Sequence, residues 1–176
     1  MTTAIDREIL RLLRTRGHWR PLERAVARFS SLGEHSMLWL GVAALGAVLH
    51  GRRRDAYIRL VATVGLVEVT NALTKIVVAR KRPRLEGLPA LIETKSQRSW
   101  PSAHAASSFA AARVLSDPLP AAPVYLVASA MALSRPYLGV HYPSDVLAGA
   151  LIGTTIAELL KRRSADLACS ESSSKG

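Results

Sequence analysis

Cysteine is almost missing from this chain. The single one, Cys169, lies in a polar C-terminal stretch, so neither a disulfide framework nor a cysteine-based metal centre is available to hold the fold. Acidic residues are scarce as well: 13 Asp and Glu stand against 24 Lys and Arg, a net charge of +11. An excess of that kind is common in nucleic-acid binders. Here the apolar residues, 49% of the 176, argue against that class, because they come in long blocks rather than as a helical stripe. No internal repeat is present. The N-terminus MTTAIDREILRLLRTRG is charged throughout, so no cleavable signal peptide is expected.

The length suits one domain. Five apolar segments stand out, at 36–50, 56–79, 103–116, 119–133 and 144–160. The second and fifth approach the roughly 20 residues that a bilayer crossing needs. The other three are shorter, and each alone could be a buried soluble helix. Together the set is easier to explain as a membrane bundle. Small residues (Gly41, Gly46, Gly65, Ala110, Ala111, Gly149, Gly153) recur inside the segments, as close helix packing in lipid requires. GAVLHGRRRD and ELLKRRS end two segments in basic clusters, as membrane helices commonly end. The expected fold is all-α: an integral membrane bundle of about five transmembrane helices.

Residues 1–34 hold two short amphipathic pieces. In 5–16, Ile5, Ile9, Leu12 and Leu13 share a face, with Arg7, Arg11 and Arg14 elsewhere; in 21–32, Leu22, Val26 and Phe29 do the same. Basic amphipathic helices lying on an anionic membrane surface fit both, with ordinary soluble helices as the alternative. A transmembrane core over 35–163 follows. Within it, 80–101 is polar, basic and proline-containing and reads as a structured loop. Residues 164–176 read as a disordered polar tail.

Threading five crossings back and forth brings Lys75, Arg82, Ser102, His104, Arg135, His141 and Asp145 to one face. A charge at membrane depth is costly, so such residues usually face a functional cavity. Three fixed cations in one place repel each other unless an anion belongs among them. Arginine forks suit phosphate oxygens, and lysine adds a point charge. Ser102, Ala103 and His104 follow Pro101 where the third segment begins; the free N–H groups and dipole of a helix start form an anion site. Ser102 read alone is equally well a plain N-cap. His141 and Asp145 are four apart, with Pro143 favouring a helix start between them. An aspartate accepting from one imidazole nitrogen leaves the other nucleophilic. His104 is then the proton donor to the leaving oxygen. This is a phosphoryl-transfer constellation. Two histidines and an aspartate also suggest a metal site, but a divalent ion among three cations is disfavoured.

KIVVARKRP, PSAH and SRPYLGVHYPSD resemble, in order, the three signature motifs of the type 2 phosphatidic acid phosphatase superfamily. The resemblance covers Lys75 to Asp145. It implies a membrane phosphatase independent of metal or other cofactor, working through a phosphohistidine. It implies His141 as nucleophile, Asp145 as its partner and His104 as general acid, with Lys75, Arg82, Ser102, Ala103 and Arg135 around the phosphate. The second motif usually reads Pro-Ser-Gly-His; Ala103 replaces the glycine, which requires helical dihedrals there. Superfamily substrates are lipid phosphates. A prenyl-linked sugar phosphate of the decaprenylphosphoryl-5-phosphoribose kind, used in cell-wall arabinan synthesis, is the expected one. Undecaprenyl diphosphate and phosphatidylglycerophosphate are the alternatives, and a non-catalytic lipid-phosphate binder is a third reading. The loop cations not needed by the motif (Arg80, Lys81, Arg84, Lys95, Arg98) form an expected second anion site, with Arg84 and Arg98 its main candidates; attraction of anionic headgroups is the alternative. The expected partners are the lipid-linked substrate and membrane lipids, with no nucleic acid. The site's face carries 15 of the 24 Lys and Arg, which leans the expected orientation towards the cytoplasm.

Overall fold

The structure is a computed structural model that describes residues 4–173. Seven α-helices run in chain order: α1 (Ala4–Thr15), α2 (Arg20–Ser31), α3 (Met37–Leu49), α4 (Arg54–Val78), α5 (Ala103–Leu115), α6 (Ala121–Tyr137) and α7 (Pro143–Ser173). Each apolar segment of the sequence is one helix, α3 to α7. Among the described residues there is no strand; isolated bridges Lys81–Arg98 and Leu85–Leu88 staple the loop between α4 and α5.

By length and composition, two stretches can each cross a bilayer alone, Gly51–Val78 and Pro143–Asp166. The helices α2 and α3 pass that test only as a pair, bent by 56° at their junction. There His35 and Ser36 both adopt left-handed backbone angles, φ 49° and 58°. Large apolar side chains such as Val48, Val77, Leu126 and Leu151 stay exposed on the outside of the bundle, where lipid is their natural solvent.

Helix α5 is the axis. Ala105, Ala106, Ala110, Ala111 and Ala112 are fully buried, and α4, α6 and α7 all pack on it. Its small side chains let α7 approach so closely that a Cβ on Gly149 or Gly153 would collide with the carbonyl of Ser102 or Ala106. Gly46 likewise gives way to the Tyr57 ring. Gly41 and Gly65 differ from the expectation: nothing lies within 4 Å of a Cβ at either, so they do not serve close packing.

The first helix is turned the other way round from a soluble amphipathic helix. Asp6, Leu10 and Arg14 form the buried stripe, one residue per turn, while Ile5, Ile9 and Leu12 remain exposed. Arg14 ties α1 to the bundle by donating to the Pro89 carbonyl at 2.7 Å. At the other end α7 remains helical through Ser173, so the stretch expected to be a disordered tail continues the helix. It contains no proline or glycine before Gly176, and extending an existing helix is far easier than starting one. Residues 174–176 lie outside the described part.

Candidate active site

Four helix ends and one loop converge on a cavity of about 180 Å³. Lys75 comes from the last turn of α4 and Arg82 from the loop that follows. Ala103 and His104 open α5, Arg135 stands in the last turn of α6, and His141 sits in the connection to α7. All six line this cavity.

The connection between α6 and α7 is built to aim His141. Gly139, at φ 78°, ends α6 in a left-handed turn, and the Val140 N–H returns to the Arg135 carbonyl at 3.1 Å. Pro143 then starts α7, and Asp145 in its first turn accepts from the Tyr142 N–H at 2.8 Å through Oδ2. The same oxygen lies 3.5 Å from Nδ1 of His141. The other imidazole nitrogen, Nε2, is 3.0 Å from Nη1 of Arg82. Arg82 is itself fixed by the carbonyls of Ser96 (2.6 Å) and Val140 (2.7 Å). His141 is 2% exposed. Burial pushes it well below the ordinary imidazole value, and the charges of Arg82, Arg135 and Lys75 push in the same direction. Its ring is therefore neutral at pH 7, with a lone pair for reaction.

Ser102 is fully buried and caps α5: its side chain accepts from the Ala105 N–H at 3.4 Å, and its own N–H donates to the Asp145 carbonyl at 3.0 Å. It joins the two helices and does not itself line the cavity, whereas Ala103 and His104 do. Ala103 lies in the helix with no positive φ, so the missing glycine of the second motif costs nothing here. His104 Nε2 is 3.1 Å from the Ser30 carbonyl, and a side chain on neighbouring Gly33 would strike its ring.

The loop cations separate. Arg84 lines an adjoining cavity of about 590 Å³, which shares Arg82, Glu93 and Thr94 with the first. Arg98 is exposed, its Nη1 3.3 Å from the Lys75 carbonyl, and it lines neither cavity. Lys95 lines the first, 3.4 Å from Nε2 of His35. Arg80 is not a spare cation: its side chain is 9% exposed and bonded to Asp145 Oδ1 at 2.6 Å and Asp6 Oδ2 at 2.7 Å.

Other residues at the site carry no signal in the motifs. Ser30, from the amphipathic α2, is fully buried and accepts from Nη1 of Arg135 at 2.6 Å. Glu34, Glu68 and Glu93 add carboxylates to the cavity wall. Glu68 had a legible clue: it is an acid deep inside an apolar helix, seven residues and so two turns before Lys75. Ser36 donates to it at 2.6 Å. Among the described residues no three His, Cys, Asp or Glu side chains are grouped to hold a metal ion.

The chain is similar over 146 residues to the decaprenylphosphoryl-5-phosphoribose phosphatase of Mycobacterium tuberculosis, at 42% identity and with 80% of each protein covered. It is 34% identical to the undecaprenyl-diphosphatase of Sulfolobus acidocaldarius over 69% of this chain and 61% of that protein. Among solved structures, Aquifex aeolicus LpxE superposes with a TM-score of 0.78 at 26% identity, over 89% of this chain and 94% of that one. Residues 56–167, which carry every motif residue from Lys75 to Asp145, match the PAP2 superfamily, and this membrane protein belongs to it.

Proposed function

We propose that this PAP2 protein hydrolyses a lipid-linked phosphate monoester through a phosphohistidine at His141. The observation that carries the reading is that both motif histidines, His104 and His141, and the three motif cations, Lys75, Arg82 and Arg135, line one small cavity. Nε2 of His141 attacks phosphorus while Arg82, Arg135 and Lys75 hold the equatorial oxygens, aided by the first free N–H groups of α5. Arg82 already touches the attacking nitrogen, so a phosphoryl group reaching Nε2 meets its guanidinium. His104 gives its proton to the departing oxygen, and afterwards takes one from the water that cleaves the P–N bond. Asp145 holds the imidazolium that forms.

The substrate we assign is a prenyl-linked phosphoribose of the decaprenylphosphoryl-5-phosphoribose kind. The mycobacterial relative's activity supports it. So does the mixed cavity wall: carboxylates of Glu34, Glu68 and Glu93 accept from sugar hydroxyls but repel a second phosphate joined directly to the first. Arg84, in the adjoining cavity, supplies the second anion site for the phosphodiester beyond the ribose; Arg98, which lines neither cavity, has no part in it. The relative from Sulfolobus makes a polyprenyl diphosphate the competing substrate. The deciding experiment is phosphate release by purified protein from a prenylphosphoryl-5-phosphoribose, a polyprenyl diphosphate and phosphatidate, with and without chelator. Arg84→Ala should raise KM for the sugar lipid far more than for phosphatidate. Faster turnover of the diphosphate would transfer the assignment to the competing substrate, and loss of activity with chelator would overturn the metal-free chemistry. The orientation we assign, with the site on the cytoplasmic side, is tested by labelling of engineered cysteines from each side of the membrane.

A further inference from the structure

We propose that Asp6 of the N-terminal helix α1 is a positioning residue for the reaction, acting through Arg80 on Asp145 and so on His141. The proposal rests on the reading above, in which His141 and Asp145 are the reacting pair.

Helix α1 reaches the site at one buried point. Asp6 is 4% exposed; its Oδ1 accepts from the Ser144 N–H at 3.0 Å, and its Oδ2 accepts from the Ser144 hydroxyl at 2.6 Å and from Nη2 of Arg80 at 2.7 Å. Arg80 turns its other terminal nitrogen, Nη1, to Oδ1 of Asp145 at 2.6 Å and to the Ser144 hydroxyl at 2.8 Å. Its guanidinium lies 4.3 Å from the Tyr142 ring centroid. Ala79, at φ 48°, ends α4 in a left-handed residue just before Arg80. One guanidinium thus bridges two buried carboxylates, a geometry that a fork-shaped cation meets and a point charge does not.

The bridge has an electrostatic consequence as well as a mechanical one. Asp145 must remain an anion that accepts from His141 when the imidazole becomes positive. Arg80 alone would draw that negative charge away. With Asp6 on its other side, Arg80 is shared, and Asp145 keeps its acceptor strength toward Nδ1. The charged and titratable groups around the pair are Asp6 from α1, Lys75 from α4, Arg80 and Arg82 from the loop, His104 from α5 and Arg135 from α6. Glu34, His35, Glu68, Glu93 and Lys95 also line the cavity that His141 faces; Asp6 is the acid that Arg80 joins directly to Asp145. An N-terminal helix lying at the surface therefore completes the charge balance of the site without lining its cavity.

The test uses the full chain in detergent micelles and a prenylphosphoryl-5-phosphoribose as probe, comparing wild type, D6N, D6E, R80M, D6N/R80M, H141A and the far-side control D117N. We expect D6N to lower kcat roughly tenfold or more, as a reacting group loses its alignment, with KM within about twofold because Asp6 does not touch the phosphate. With a negative charge removed, protonated His141 is disfavoured. The acid limb of kcat/KM therefore moves to lower pH, by roughly 0.3 unit or more. A helix that merely docks would not move that limb. D6E, which keeps the charge, should recover part of the loss. D6N should cost little further in the R80M background, since Asp6 works through Arg80. D117N should match wild type. A D6N protein with wild-type kcat and an unmoved limb overturns the proposal, as does full additivity of D6N with R80M. If D6N is not monodisperse, the comparison of D6E with wild type decides: with the charge kept and the limb unmoved, kcat reduced beyond the loss of thermal stability supports the positioning role, and kcat reduced only in proportion to that loss overturns it. H141A with wild-type turnover overturns the function reading itself, whereas a dead H141A beside an unaltered D6N overturns only the positioning role.

Discussion

Replacing Gly153 by alanine should cost both stability and turnover, because the site is held by the contact between α5 and α7. A Cβ on Gly153 would stand 2.8 Å from the carbonyl carbon of Ala106 and 3.0 Å from its Cα, with the carbonyl oxygen closer still. These are backbone atoms of the central helix and have no rotamer to adopt. Ordinary contact begins near 3.4 Å, so α7 must withdraw or tilt by several tenths of an ångström or more. Overpacking of this kind costs about 1–3 kcal/mol. The geometric effect is larger than the energetic one. Ala106 is two residues from His104 on α5, and Gly153 is two turns from Asp145 on α7, so the withdrawal acts directly on the separation of the two histidines' supports. A misplacement of about 1 Å costs on the order of a hundredfold in rate. We expect kcat to fall ten- to a hundredfold, roughly, together with a lower melting temperature. The assay is phosphate release and thermal melting of G153A beside G65A in one detergent. Gly65 has nothing within 4 Å of its Cβ position, so its alanine variant should retain wild-type turnover and stability. Wild-type kcat and melting temperature for G153A, or equal damage from G65A, would refute the argument.

Other outcomes follow from the site. H141A should abolish turnover, and H104A should lower it by roughly two to four orders of magnitude as a lost general acid, both measured as phosphate release that EDTA leaves unchanged in wild type. Because burial and nearby cations hold His141 well below the ordinary imidazole value of about 6.5, the acid limb of kcat/KM should lie below that pH. The sign follows from the neutral form being the reactive one: activity is lost only as pH falls through the lowered value. R82M removes the nearest cation and should raise that value, moving the His141 titration upward in an NMR pH series; a downward move would contradict the electrostatic picture. E68Q should raise KM for a phosphoribose lipid more than for phosphatidate, since only the former has sugar hydroxyls to give to the carboxylate; equal changes on both would remove Glu68 from sugar recognition.

The clustering of Lys75, Arg82, His104, Arg135 and His141 is legible in the amino-acid sequence because each lies within a few residues of a helix end. Hydropathy marks the ends of apolar segments, and alternating passes place those ends on one face. The helix start at Pro143 and the cap at Ser102 are local features that a few adjacent residues decide. Gly149 and Gly153 are legible as packing positions, but Gly41 and Gly65 look the same in the sequence, since composition alone does not say which side of a helix meets a neighbour. The distinction among the loop cations is not legible either. Arg80, Arg82, Arg84 and Arg98 are alike in sequence, and the direction of each side chain depends on the backbone path after the left-handed Ala79 and on the bridges that fold the loop back.

The sequence by itself determined the helical class, the five apolar helices and the motif residues, because these depend on hydropathy and on spacing within a turn or two. Only the tertiary structure decided what α1 does. Its periodicity marks an apolar side, and in water that side would be the buried one. The structure has the reverse: Ile5, Ile9 and Leu12 stay outside, while Asp6 and Arg14 turn inward to partners 74 and 75 residues away, Arg80 and the Pro89 carbonyl. Such pairings are set by where distant backbone comes to rest, and polar groups removed from water take the partners the fold brings to them.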